Sequence, residues 1–185
     1  TWRWGRARLG KRMEKASIPA EMLIEDLERK EVHRVSGTAF YMCGKTGGIP
    51  LALLHNLKHN QVLHERVILL HVETLDSSHA MEEEKYDIRE LGQGFYLLHL
   101  RFGFSETPNV PQALKEHLTG EIKYEGQKST FFLGRETYAV SRNLNAWERL
   151  RLAIFAWMTR NATPATAYFS LPPSRVVELG AQISL

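Results

Sequence analysis

Cysteine is almost absent from this chain of 185 residues: Cys43 stands alone. That excludes an intrachain disulfide and suits a reducing compartment. Next to the apolar run Ala39-Phe40-Tyr41-Met42, the thiol reads as a small buried hydrophobe rather than a nucleophile. Long apolar runs are missing as well. The longest, residues 152–158, falls far short of the ~18–20 residues that cross a bilayer. Strong charge is also lacking, with a formal net charge of +3. Most of the excess sits in Arg3, Arg6, Arg8, Lys11, Arg12 and Lys15, opposed there by Glu14 alone. The remainder is near neutral and gives no support to a nucleic-acid surface. No apolar segment follows the basic start, so it does not read as a signal peptide. A first residue of Thr rather than Met is read as the mark of a piece of a longer chain or of a processed one.

Catalytic signatures are missing too. Gly-x-Ser-x-Gly and Gly-x-Gly-x-x-Gly do not occur. Gly44-Lys45-Thr46 stands between a strand and a helix as a P-loop does, but Ala39 occupies the position of the leading glycine, and Gly47, Gly48, Ile49 and Pro50 delay the helix. His55 and His59 have metal-gripping helical spacing, yet Asn56 breaks the His-Glu-x-x-His pattern and Lys58 opposes a cation. The stretch from His55 through His64 is therefore read as architecture, capping a helix and turning it into a strand. His71 and Glu73 share a strand face, the geometry of a general base and its partner, without a nucleophile motif around them. His59, His64 and His71 are the candidates for pH sensing. No catalytic, metal or cofactor residue is assigned, and the chain is not read as an enzyme.

What is present is an alternation of strand and helix patterns. Trp2 and Trp4 among the arginines suit either a headgroup-level segment on the cytoplasmic side of a membrane or a solvated helix in which the tryptophans are incidental. Ser17 is a plausible N-cap for a short helix with Pro19 in its first turn and Met22, Leu23 and Leu27 on one face. Strands are expected over 38–43, 67–70, 86–91 and 94–104, with a hairpin turn at Gly92-Gln93-Gly94. In the last of these, Tyr96, Leu98, Leu100 and Phe102 share one face, and Phe95, Leu97, His99 and Arg101 the other. A helix over residues 50–59 completes a parallel βαβ unit. Val110, Leu114 and Leu118 mark a short helix. Residues 129–133 and 136–140 read as a strand pair turning at Gly134-Arg135. The strongest helix runs over 146–162, where Trp147, Leu150, Ile154, Trp157 and Met158 form a stripe expected to be core. A last strand contains Val176, Val177 and Leu179. The expectation is one mixed α/β domain with α+β character over 32–185, its mixed sheet flanked by helices, behind a basic juxtamembrane helical arm over 1–31.

The run Pro50-Leu51-Ala52-Leu53-Leu54-His55-Asn56-Leu57-Lys58-His59-Asn60, then Val62-Leu63-His64-Glu65-Arg66-Val67-Ile68, closely resembles the signature of the KUP (HAK/KUP/KT) potassium uptake permeases. Arg34-Val35-Ser36-Gly37-Thr38, Arg101-Phe102-Gly103-Phe104-Ser105-Glu106-Thr107-Pro108, Thr130-Phe131-Phe132-Leu133-Gly134-Arg135 and Pro172-Pro173-Ser174-Arg175-Val176 extend the resemblance in order. It departs at Ser36 and Ser174, where proline and asparagine are common. The resemblance implies the cytoplasmic C-terminal domain of a bacterial potassium:proton symporter at the inner membrane, with the ion-carrying helices outside this sequence. It further implies a role in regulation or assembly, with the transmembrane part as partner and membrane contact only at the arm. A homodimer is expected, and a cyclic dinucleotide or adenine nucleotide is the candidate ligand. The competing reading is a free-standing soluble α/β enzyme or nucleotide-binding module.

Overall fold

The computed structural model describes residues 19–30, 32–44, 48–139, 146–161 and 163–184. Helix α1 (Ala20–Arg29) precedes strand β1 (His33–Cys43), α2 (Leu51–Asn60) and β2 (Val62–Leu75). The hairpin strands β3 (Tyr86–Gly92) and β4 (Phe95–Gly103) follow, then α3 (Val110–His117). Strand β5 (Ser129–Ala139), helix α4 (Ala146–Arg160), the single turn α5 (Ala165–Tyr168) and β6 (Val176–Ser184) complete the order. The strands form one sheet in the order β3-β4-β2-β1-β5-β6. Only the β3–β4 pair is antiparallel; the other neighbours run parallel.

The run Val67-Ile68-Leu69-Leu70 is fully buried, as an apolar stretch in the centre of a parallel sheet requires. Alternation along the strands sorts two cores. Ala39, Tyr41, Val67, Leu69 and Phe95 pack with Ala20 and Ile24 of α1 and Ala52 and Leu53 of α2. Phe40, Ile68, Leu70, Leu98 and Phe131 pack on the opposite face with Val110, Ala113 and Leu114 of α3. A stacked aromatic pair crosses from β1 to β5 on each face: Tyr41 on Phe132 at 4.6 Å and Phe40 on Phe131 at 5.1 Å. Such pairs are worth about 0.5–1.5 kcal/mol beyond their buried area.

The βαβ unit and the hairpin appear as expected. Gly92, Gln93 and Gly94 all take positive φ in the turn. Other expectations need correction. The expected strand pair over 129–133 and 136–140 is, through Ala139, one continuous strand, because Gly134 and Arg135 stay in register with Leu179 and Gly180 of β6; residue 140 lies outside the described residues. In α1 the inward positions belong to Ala20 and Ile24, with Leu23 and Leu27 at the margin, whereas Met22 is exposed. The aromatic stripe of α4 is not core: Trp147, Leu150, Ile154 and Trp157 are exposed, and Phe155 is buried instead. The expected cap at Ser17 and, of the arm expected over 1–31, residues 1–18 and 31 lie outside the described residues. Among the described residues no helix is long and apolar enough to cross a membrane.

Candidate functional site

Polar side chains gather at both ends of the parallel strands. At the carboxyl ends, Cys43 lies beside His71, His71 beside His99, and His99 beside Asp87. One row of polar residues thus crosses four neighbouring strands, and the two-residue period puts it on the face that carries Tyr41 and Leu69. His71 Nδ1 lies 3.1 Å from the Cys43 carbonyl oxygen. A carbonyl only accepts, so the ring's proton sits on Nδ1. The His71 and His99 rings meet edge-on at 5.3 Å. In the next row Arg101 pairs with Glu73 at 3.8 Å and donates from Nη1 to the Glu84 carbonyl at 2.9 Å.

The electrostatics favour the neutral forms of two members of this row, His99 and Cys43. Burial, then the positive charges available to His71 and Arg101, hold His99 below the usual imidazole range, with Asp87 and Glu73 opposing. Burial pushes the Cys43 thiol up to about 11, so the thiolate nucleophile is scarce at neutral pH. The row can take up or release a proton, but it holds no nucleophile beside a base. Glu73 forms its ion pair with Arg101 rather than serving as the partner of a His71 base. His99 and Asp87 were not singled out from the sequence. The polar turn of the 95–103 face was its visible signal, but the register that sets His99 beside His71 was not.

At the amino ends, polar groups bond backbone instead. Arg34 donates from Nη1 to the His64 carbonyl at 2.9 Å and from Nη2 to the Gln93 carbonyl at 2.8 Å. It joins the starts of β1, β2 and the hairpin while lying 5.6 Å over the Phe95 ring. Asn56, buried in α2, donates to the Val62 carbonyl at 2.9 Å and accepts from Asn60 at 2.8 Å. Arg66 donates to the Glu121 carbonyl. Burial lowers the pKa of His64, whose Nδ1 is buried without a hydrogen-bond partner and whose ring sits 5.9 Å from Phe132. The His55 and His59 rings lie 5.9 Å apart. Among the described residues no cluster of three or more His, Cys, Asp or Glu could hold a metal ion. A polar groove of about 630 Å³ opens between the end of α1 and the start of β1, lined by residues including Leu27, Lys30, Arg34 and Gln93. Of the P-loop-like segment, Lys45 and Thr46 lie outside the described residues.

The family described as the K+ potassium transporter C-terminal domain matches residues 36–185. This chain belongs to that family. The family is one of transporter domains rather than enzymes, and the competing enzyme reading falls with it. The chain is 43% identical over 187 residues to a probable potassium transport system protein Kup of Myxococcus xanthus, covering 100% of this chain and 28% of the relative. It is 41% identical to a probable Kup 2 of Syntrophobacter fumaroxidans and 40% identical to a probable Kup of Pseudomonas paraeruginosa, covering 100% of this chain and 29% of each relative. The chain therefore spans well under a third of the length of these relatives. No solved structure matches it.

Proposed function

We propose that this chain is the cytoplasmic regulatory and assembly domain of a bacterial potassium uptake transporter at the inner membrane. In this reading the intact protein couples potassium entry to protons, and the ion path lies in a transmembrane part to which residues 1–31 form the basic arm. The carrying observation is the family match over 36–185 in a chain that covers only 28% of a Kup relative. The signature stretch supports an architectural role, because Arg34, Asn56 and Arg66 all bond backbone carbonyls. The test is rubidium uptake in cells without other potassium uptake systems, comparing the full-length transporter with one lacking residues 32–185. Reduced uptake or loss of assembled transporter is expected. Unchanged uptake, level and oligomeric state would overturn the reading.

A second reading is favoured by the topology. Strand β1 is followed by β2 on one side, while β5 lies on its other side, which makes the β1–β5 gap a switch point where open α/β sheets bind ligands at the carboxyl ends. A cyclic dinucleotide or an adenine nucleotide is the proposed regulatory ligand there. Calorimetric titration with cyclic dinucleotides, ATP and AMP should give saturable heat from one of them. Flat titrations with all of them would remove this reading and leave the first intact.

A further inference from the structure

Strand β2 stands between β1 and β4, and its His71 is the Cα partner of Cys43 on one side and of His99 on the other. His71 Nδ1 donates to the Cys43 carbonyl at 3.1 Å. The two nitrogens of an imidazole are distinct and face nearly opposite ways. With Nδ1 turned to β1, the lone pair on Nε2 is turned toward β4 and His99. Metal-binding histidines are usually oriented in this way, the second ring nitrogen donating to a backbone carbonyl or a carboxylate. The His99 ring meets His71 edge-on, and among the described residues no hydrogen bond engages either of its nitrogens. His99 can therefore turn a nitrogen to an ion that it shares with His71. Both rings are half-buried, so ions in solvent reach them.

The spacing fits such an ion. A zinc–nitrogen bond is about 2.0–2.1 Å and a ring nitrogen lies ~1.1 Å from its centroid, so two imidazoles on one tetrahedral ion stand roughly 5.2 Å apart. The centroids of His71 and His99 are 5.3 Å apart. Those of His55 and His59, the pair with helical metal spacing, are 5.9 Å apart. Lys58 adjoins that pair, and among the described residues no carbonyl orients either of its rings. Charge also favours a cation at the strand pair. Asp87 adjoins His99, and Glu73 lies two residues beyond His71. The nearby Arg101 is paired with Glu73 at 3.8 Å. No cluster of three or more His, Cys, Asp or Glu among the described residues could hold a metal, so water completes the shell of an ion bound here. Imidazole nitrogens suit divalent transition metals such as zinc and copper, whereas magnesium and calcium take oxygen ligands.

We infer that His71 and His99 form a two-histidine site for a divalent transition-metal ion, which ties β2 to the β3–β4 hairpin at the carboxyl ends of the strands. The inference goes beyond the proposed function and does not depend on it. The test uses the purified full-length transporter, stripped with a chelator and dialysed against zinc. His71→Gln and His99→Gln should each weaken binding of one ion per chain at least about tenfold, since loss of an outer-shell partner alone costs 10–100-fold. The double variant His55→Gln/His59→Gln should keep that ion. Copper added to the unsubstituted transporter should show, by electron paramagnetic resonance, coupling to two ring nitrogens, and one fewer in His99→Gln. Equal zinc binding by the unsubstituted protein and both single variants would overturn the site. So would loss of the ion in the His55/His59 variant alone. Absence of binding at millimolar zinc, or a copper spectrum without two coupled nitrogens in the unsubstituted protein, would overturn it whether or not the variants fold.

Discussion

At the amino ends of β1, β2 and β4, polar side chains spend their donors on backbone carbonyls, whereas at the carboxyl ends His71 and Arg101 do so while also meeting other polar side chains. Arg34 and Asn56 each close a junction between elements. His71 and His99 meet edge-on beside Cys43 and Asp87, and His71 makes one link to backbone, at the Cys43 carbonyl. The difference follows from what each end must satisfy. Where α2 ends and β2 begins at once, buried carbonyls need donors. Where strands run out toward the surface, side chains are left to the solvent and to each other. The family's signature stretch lies at the end that is built, and the titratable row at the end that is free to respond.

Gly94 should show the largest effect at the amino end. It takes φ +74, and a Cβ there would lie 2.4 Å from the Glu65 carbonyl oxygen. Gly94→Val is expected to cost about 3 kcal/mol or more, from strained backbone and a clash with main chain. Urea unfolding would measure it, and a loss below about 1 kcal/mol would show that the junction yields. Next comes Asn56→Leu, which leaves the Val62 carbonyl without its donor; a loss of about 2 kcal/mol is expected in the same assay. At the carboxyl end Cys43→Ala should change stability by only about 1 kcal/mol, since its thiol is partly buried and its backbone carbonyl, the group that His71 uses, remains. A larger loss would move Cys43 to the built side of the comparison.

The smallest effect is in pH dependence and separates the two histidine environments. His99 and His64 both have folded pKa values below the ordinary 6.5. Above that value both chain states are neutral and no stability changes with pH. Below it the unfolded chain binds protons that the folded chain refuses, so stability falls as pH drops toward the folded pKa values. His71→Gln should raise the His99 midpoint, because one of its lowering charges is removed, and leave His64 unmoved, because burial alone lowers that one. Proton NMR titration of the ring signals reads both. Parallel movement of the two would mean that the row is not a local unit.

Much of the architecture could be read from residue order. The unbroken apolar run Val67-Ile68-Leu69-Leu70 implied a central strand, and alternation in residues 95–103 sorted Leu98 and Leu100 from Phe95 and Leu97, as the two cores do. The stretch at 129–139 misled because Gly134-Arg135 looks like a turn when its parallel neighbours β1 and β6 are not in view. The α4 stripe misled for a related reason: helical periodicity shows that a face is apolar but not what covers it.

Sequence alone determined the strand and helix periods, the absence of disulfide and catalytic signatures, and the family, since each is local or is an ordered string. Only the tertiary structure decided that His71 meets His99, that Glu73 pairs with Arg101, and that, among the described residues, β6 is an outer strand and Trp147 and Trp157 of α4 are exposed. Those facts depend on which strands become neighbours and in what register, and pairing between segments tens of residues apart is settled by burial across the whole sheet.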